Sequence, residues 1–109
     1  MKKDPKFYLG HIRDSINHIN RYTKGLEKEE FLKNNLVQDA VVRNIEIIGE
    51  AVKNLPKDFT NKHKEVPWKD IAGMRDRIAH FYFGIDYALV WDTVKKDIPE
   101  LKKQIQKLL

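Results

Sequence analysis

Residues 37–55 read Val37-Gln38-Asp39-Ala40-Val41-Val42-Arg43-Asn44-Ile45-Glu46-Ile47-Ile48-Gly49-Glu50-Ala51-Val52-Lys53-Asn54-Leu55. Val37, Val41, Ile45, Ile48, Val52 and Leu55 recur at steps of three and four, the spacing of one buried helix face. A strand would alternate every second residue, and nothing here does. The pattern extends back through Phe31, Leu32 and Leu36, so a helix is expected from Lys28 to Leu55. Asn34-Asn35 is its weak point, where a short first segment can split off. Pro56 ends it.

Working outward, the rest of the chain is helical by the same test. Asp4 followed by Pro5 is an N-cap with proline at the first helical position. From there Tyr8, Ile12, Ile16, Ile19 and Tyr22 or Thr23 form an apolar stripe that stops at Gly25. Residues 57–66 are polar and read as a loop with at most a helical turn. Pro67-Trp68-Lys69-Asp70 starts a third helix that turns Ile71, Met74 and Ile78 inward and loses regularity around Phe81–Gly84. Asp86 is an N-cap for a fourth, with Leu89, Val90, Val94 and Ile98 inside. Pro99 interrupts that pattern. A kink or a break is expected there, with Asp97 capping a short fifth helix, Pro99–Leu109. The fold class is therefore all-α, an antiparallel bundle of four to five helices in one domain, 1–109.

Bulk composition fits this reading. The chain has 109 residues, 41% of them hydrophobic and 34% charged, with only five glycines and four prolines. With no cysteine, disulfides and thiolate metal sites are excluded. No Glu-x-x-His pair precedes His11, His18, His63 or His80, so a di-metal bundle is not expected, and neither is any cofactor. Met1-Lys2-Lys3-Asp4-Pro5 is not followed by an apolar run, and no stretch approaches membrane-spanning length; a soluble, cytoplasmic chain is expected. The net charge of +5 favours a polyanionic partner.

Chemistry concentrates in Arg75-Asp76-Arg77-Ile78-Ala79-His80-Phe81-Tyr82. Arginine matches phosphate oxygens with a planar fork of donors, histidine exchanges a proton near neutral pH, and tyrosine offers a hydroxyl. These are parts for phosphodiester cleavage without a metal. On a straight helix Arg75 and Tyr82 fall within about 20° of one stripe, but His80 lies about 140° from Arg75. Arg75 and His80 meet only if the helix ends or bends between them, or if a second subunit supplies one of them. Cleavage by the RNA 2′-hydroxyl needs a base and an acid, and one histidine per chain is one short. A two-fold dimer that places both His80 rings in one cleft supplies the second. The aromatic run Phe81-Tyr82-Phe83 offers a rim on which bases can stack.

Arg75-x4-His80-x-Tyr82 resembles the R-x4-H-x-Y motif of HepT-like proteins, minimal members of the HEPN superfamily. Gln38 to Ala51 resembles that family's second-helix signature, and Pro67-Trp68 with Ile71-Ala72-Gly73-Met74-Arg75-Asp76 its third. The resemblance spans nearly the whole chain. It implies a HEPN-type bundle that forms a homodimer, with Arg75 and His80 of both chains composing a metal-independent RNase site acting on RNA. It implies a toxin whose antitoxin is a small MntA-like nucleotidyltransferase that attaches AMP to Tyr82. The alternative is a catalytically inactive HEPN module that binds such a partner or a nucleotide.

Supporting roles follow around that core. Asp76 follows the motif arginine and is placed to orient it. Glu46 and Glu50 share a helix face. They either hydrogen-bond Arg43 or Arg75 and orient the site, or lie in solvent with an intrahelical Arg43–Glu46 pair. Gly49 in mid-helix costs about 1 kcal/mol against alanine, which a close helix crossing would justify. His11 and His18 read as a polar flank, Lys62-His63-Lys64 as solvated charge, and Trp68 and Trp91 as core or interface anchors.

Overall fold

The computed structural model describes residues 3–80 and 84–109, His80 by its backbone alone. Helix α1 spans Pro5–Thr23, α2 Lys28–Leu32, α3 Asn35–Lys53, α4 Lys57–Lys62, α5 Trp68–Ala72 and α6 Met74–Ile78. A two-residue antiparallel ladder follows, Ala79–His80 against Gly84–Ile85, then α7 over Tyr87–Asp92, a π-helical turn over Thr93–Asp97 and α8 over Ile98–Leu108. The all-α expectation holds. Among the described residues no helix is long and apolar enough to cross a membrane.

Three helix starts, those of α1, α3 and α7, carry a side-chain cap. The Asp4 carboxylate accepts from the Lys6 N–H at 2.8 Å, Asn34 from Val37 at 3.1 Å and Asp86 from Leu89 at 3.0 Å. The chain does split at Asn34-Asn35. Gln38, buried, donates its side-chain amide to the Phe31 carbonyl at 3.0 Å, which satisfies the end of α2 and fixes the corner. That corner turns Phe31 inward against Trp91, ring centroids 5.2 Å apart. It also turns Leu32 and Leu36 out, to 41% and 81% exposure, so these two leave the stripe that sequence periodicity assigned them.

The buried apolar residues form one cluster. Its centre is Leu9, Ile12 and Ile19 of α1, Val41, Ile45 and Ile48 of α3, Ile78 of α6, Val90 of α7 and Ile98 of α8, all at 0% exposure. Helix α1 packs along α3, α8 lies against α1, and α5 and α6 cover the other flank of α3. Trp68 sits partly buried beside Phe59 and donates its indole N–H to the His63 carbonyl at 2.9 Å, pinning the 57–66 segment, which holds α4. Trp91 is buried, an anchor within the chain.

Two expectations are corrected near the C-terminus. No break occurs at Pro99, and Asp97 is no N-cap: its backbone is helical and its side chain makes no capping bond. The chain instead widens into the π-helical turn, where the Ile98 N–H reaches back five residues to the Thr93 carbonyl. Proline lacks an N–H and clashes with the carbonyl four residues before it, so one wide turn ahead of Pro99 relieves both defects without ending the helix. The Asp97 carboxylate goes to Arg77 instead, 2.6 Å from its Nη2.

Gly49 is where α3 meets α5. A Cβ there would lie 3.2 Å from the Ala72 carbonyl oxygen, a backbone atom that cannot rotate away. Gly49→Val is expected to lower stability by about 1–3 kcal/mol through overpacking. Urea unfolding reads it out; an unchanged midpoint would show slack at this crossing.

Candidate active site

Arg75 occupies the single long turn of α6, held in place by its neighbours Met74 and Ile78, both buried. The helix stops at Ile78, and Ala79 is already extended, with φ −97° and ψ 129°. His80 therefore lies in extended backbone, paired with Gly84. The helix ends between Arg75 and His80, one of the conditions under which the two can meet, and it ends earlier than the irregularity expected at Phe81–Gly84. The Asp86 N–H donates to the Ile78 carbonyl at 2.8 Å and closes the far side of the ladder. Gly84 adopts φ +82°, a left-handed conformation open to glycine and strained for other residues. The His80 side chain and the whole of Tyr82, with the Phe81–Phe83 rim, lie outside the described residues.

Across from α6, Glu46 of α3 accepts a hydrogen bond from the Arg75 Nε at 3.0 Å. Both side chains are about two-fifths exposed, 41% for Arg75 and 36% for Glu46. Glu46 thus pairs with Arg75 and not with Arg43 of its own helix. A contact at Nε leaves the two terminal nitrogens of the guanidinium without a partner among the described residues, the geometry a phosphate needs. Gly49 stands one turn beyond Glu46, and its missing side chain lets α3 approach the α5–α6 junction closely enough for this reach.

A groove of about 230 Å³ lies here, lined by Arg43, Glu46, Glu50, Lys53, Arg75 and Asp76 together with Gly49 and Ala72. The residues singled out from sequence on α3 and α6 converge on it. Their contacts differ: Glu50 faces Lys53, Oε1 to Nζ 3.6 Å, while Arg43 and Asp76 form no ion pair among the described residues. The other histidines lie elsewhere. His11 packs on Phe7, His18 meets Asn44 at 3.2 Å on the α1–α3 seam, and His63 lies 3.6 Å from Glu65. No group of three or more His, Asp or Glu is placed to hold a metal ion among the described residues. Sequence reading missed the Arg77–Asp97 pair, which ties α6 to the π-helical turn; twenty residues separate the two, and no local pattern signals it.

An all-α bundle in which an Arg-x4-His spacing straddles a helix end is of the HEPN type. The chain belongs to the HepT-like ribonuclease family, whose model, described as "Ribonuclease HepT-like", matches residues 12–108. It is 50% identical over 107 residues to a protein named "Putative RNase" from Caldanaerobacter subterraneus subsp. tengcongensis, covering 98% of this chain and 96% of that one. A "Probable ribonuclease HepT" from Thermococcus cleftensis is 47% identical over 108 residues, 99% of this chain and 98% of the relative. A "Gamma-glutamylcyclotransferase and putative RNase" from Methanocaldococcus jannaschii is 51% identical over 109 residues, and this chain spans 49% of its length. No solved structure matches.

The Glu46–Arg75 contact is partly exposed, so it orients more than it stabilises. A double-mutant cycle with Glu46→Ala and Arg75→Ala is expected to return a coupling of about 0.2–1 kcal/mol in urea unfolding. A coupling above that range would mean the pair holds the fold together.

Proposed function

We propose that this protein is a metal-independent endoribonuclease, the toxin of a toxin–antitoxin pair, with its site composed across a homodimer. The observation that carries the reading is the Glu46-oriented Arg75 on α6, with the helix ending before His80. Arg75 holds the scissile phosphate and stabilises the charge that develops on it. One His80 takes the proton from the 2′-hydroxyl, whose oxygen attacks phosphorus; a second His80, from the other subunit, protonates the departing 5′-oxygen. The products are a 2′,3′-cyclic phosphate and a 5′-hydroxyl end. Glu46 positions Arg75, while Glu50, Arg43 and Asp76 shape the field of the groove.

In this reading a MntA-like nucleotidyltransferase is the antitoxin. The Tyr82 hydroxyl attacks the α-phosphorus of ATP, AMP is transferred and pyrophosphate leaves. The added phosphate places negative charge where the RNA backbone must sit and blocks cleavage.

Purified protein is expected to cleave RNA in EDTA. His80→Ala should lower the rate by about 10²–10⁴-fold, and Arg75→Ala by about 10²–10³-fold. Equal cleavage by wild type and both variants would sink the assignment; complex formation with the nucleotidyltransferase without any cleavage would establish an inactive binding module instead.

Incubation with ATP and the nucleotidyltransferase should raise the mass of the protein by whole AMP units, and Tyr82→Phe should abolish the increase. The same increase in Tyr82→Phe would remove Tyr82 from this role.

A further inference from the structure

Between α1 and α8, on a different flank of the bundle from Arg75, lies a cleft of about 280 Å³ lined by Arg13, Ile16, Asn17, Lys102, Ile105 and Gln106. Its chemistry sets it apart. The groove at Arg75 contains Glu46, Glu50 and Asp76. The cleft between α5, α6 and α8 contains Asp70, Asp97 and Glu100, and the one beside Trp68 contains Asp70. No carboxylate lines the α1–α8 cleft. It presents two cations and two carboxamides over an apolar base of Ile16 and Ile105, both buried.

The cations there are available. Lys102 enters no ion pair among the described residues. Arg13 contacts the adjacent Asp14 through Nε at 3.3 Å, which leaves its terminal nitrogens for another acceptor. Beyond the rim, Lys103 and Lys107 project from the outer face of α8, exposed and outside any ion pair among the described residues. An array of cations, of which only Arg13 has an ion-pair partner among the described residues, around a cleft lined by no carboxylate complements a phosphodiester backbone, whose binding releases counterions. Asparagine and glutamine amides add hydrogen bonds to sugars, phosphates or base edges. A membrane surface fits less well, because the apolar face of α8, Ile98, Leu101 and Ile105, is already buried in the core.

We infer that the α1–α8 cleft is a secondary RNA-binding site that holds the substrate backbone through Arg13 and Lys102, away from the cleavage groove. The inference rests on the ribonuclease reading for its ligand, and its test is a binding measurement that needs no cleavage. His80→Ala protein is titrated with a fluorescein-labelled single-stranded RNA of about twenty nucleotides over a range of salt. Adding Arg13→Ala and Lys102→Ala is expected to weaken binding roughly tenfold at low salt and to reduce the slope of log K against log[salt] by about 1.4, the share of two phosphate contacts on a single strand. Lys28→Ala with Lys33→Ala, the same loss of charge at exposed positions elsewhere, should leave the slope unchanged. Gln106→Glu, an exposed position that would introduce a carboxylate to the cleft, should weaken binding while the thermal melt stays in place.

Equal affinities and slopes in the Arg13/Lys102 and Lys28/Lys33 variants would overturn the inference, since binding would then follow net charge alone. So would an affinity unmoved by Gln106→Glu. RNA bound through this cleft by a wild-type protein that never cleaves would overturn the ribonuclease reading and leave the inference standing.

Discussion

The close approach of α3 to the end of α5, permitted by the missing side chain at Gly49, is the constraint on which the site depends. Without it, the short α6 would sit farther from α3 and Glu46 would not reach the Arg75 Nε at 3.0 Å. The cost is the conformational freedom that glycine surrenders in mid-helix. What offsets it is local packing: Ile45 and Ile48 of α3, Ile71 of α5 and Ile78 of α6 share one buried cluster, so the crossing is held by apolar contacts while its polar residues stay at the surface.

That division of labour explains a site with little stabilising value of its own. Arg75 and Glu46 are both partly exposed, and such pairs contribute little to folding. A buried pair would be costly to break, whereas this exposed one leaves the terminal nitrogens of Arg75 without a partner among the described residues. Orientation therefore comes from one contact at Nε, and rigidity from the apolar residues on either side of Arg75. The Arg77–Asp97 pair adds a second tether, from the outer side of α6 to the π-helical turn.

Much of this was legible in the chain. Period and caps located the helices, because Asp4 and Asp86 act through bonds to residues two or three positions away, and such local chemistry is visible in one dimension. Leu32 and Leu36 misled because they fit the period, while the corner that exposes them is made by the Gln38 amide on the Phe31 carbonyl, a contact between two helices. Asp97 misled in the same way: a good cap residue before proline, it is drawn instead to an arginine twenty positions earlier. At the site, helical angles left three ways for Arg75 and His80 to meet, an end, a bend or a second subunit, and the stop at Ile78 is the first of them. Which carboxylate would meet Arg75 was not legible, since Glu46 is 29 residues away on another helix while Asp76 is adjacent, and only the crossing at Gly49 brings Glu46 within reach.

The π-helical turn ahead of Pro99 acts as a phase shifter for the end of the chain. It carries one more residue than an α-turn, so everything after it is rotated relative to an uninterrupted helix begun at Tyr87. Leu101 and Ile105 face the core only because of that offset. Removing a single residue from Thr93–Asp97 would restore the α register and swing the eleven residues of α8 by about 100°. The apolar stripe of α8 would then turn off the core, and Lys102 would rotate away from Arg13. In this family member the phase of one helix sets both where the bundle closes and which charges stand side by side on its surface.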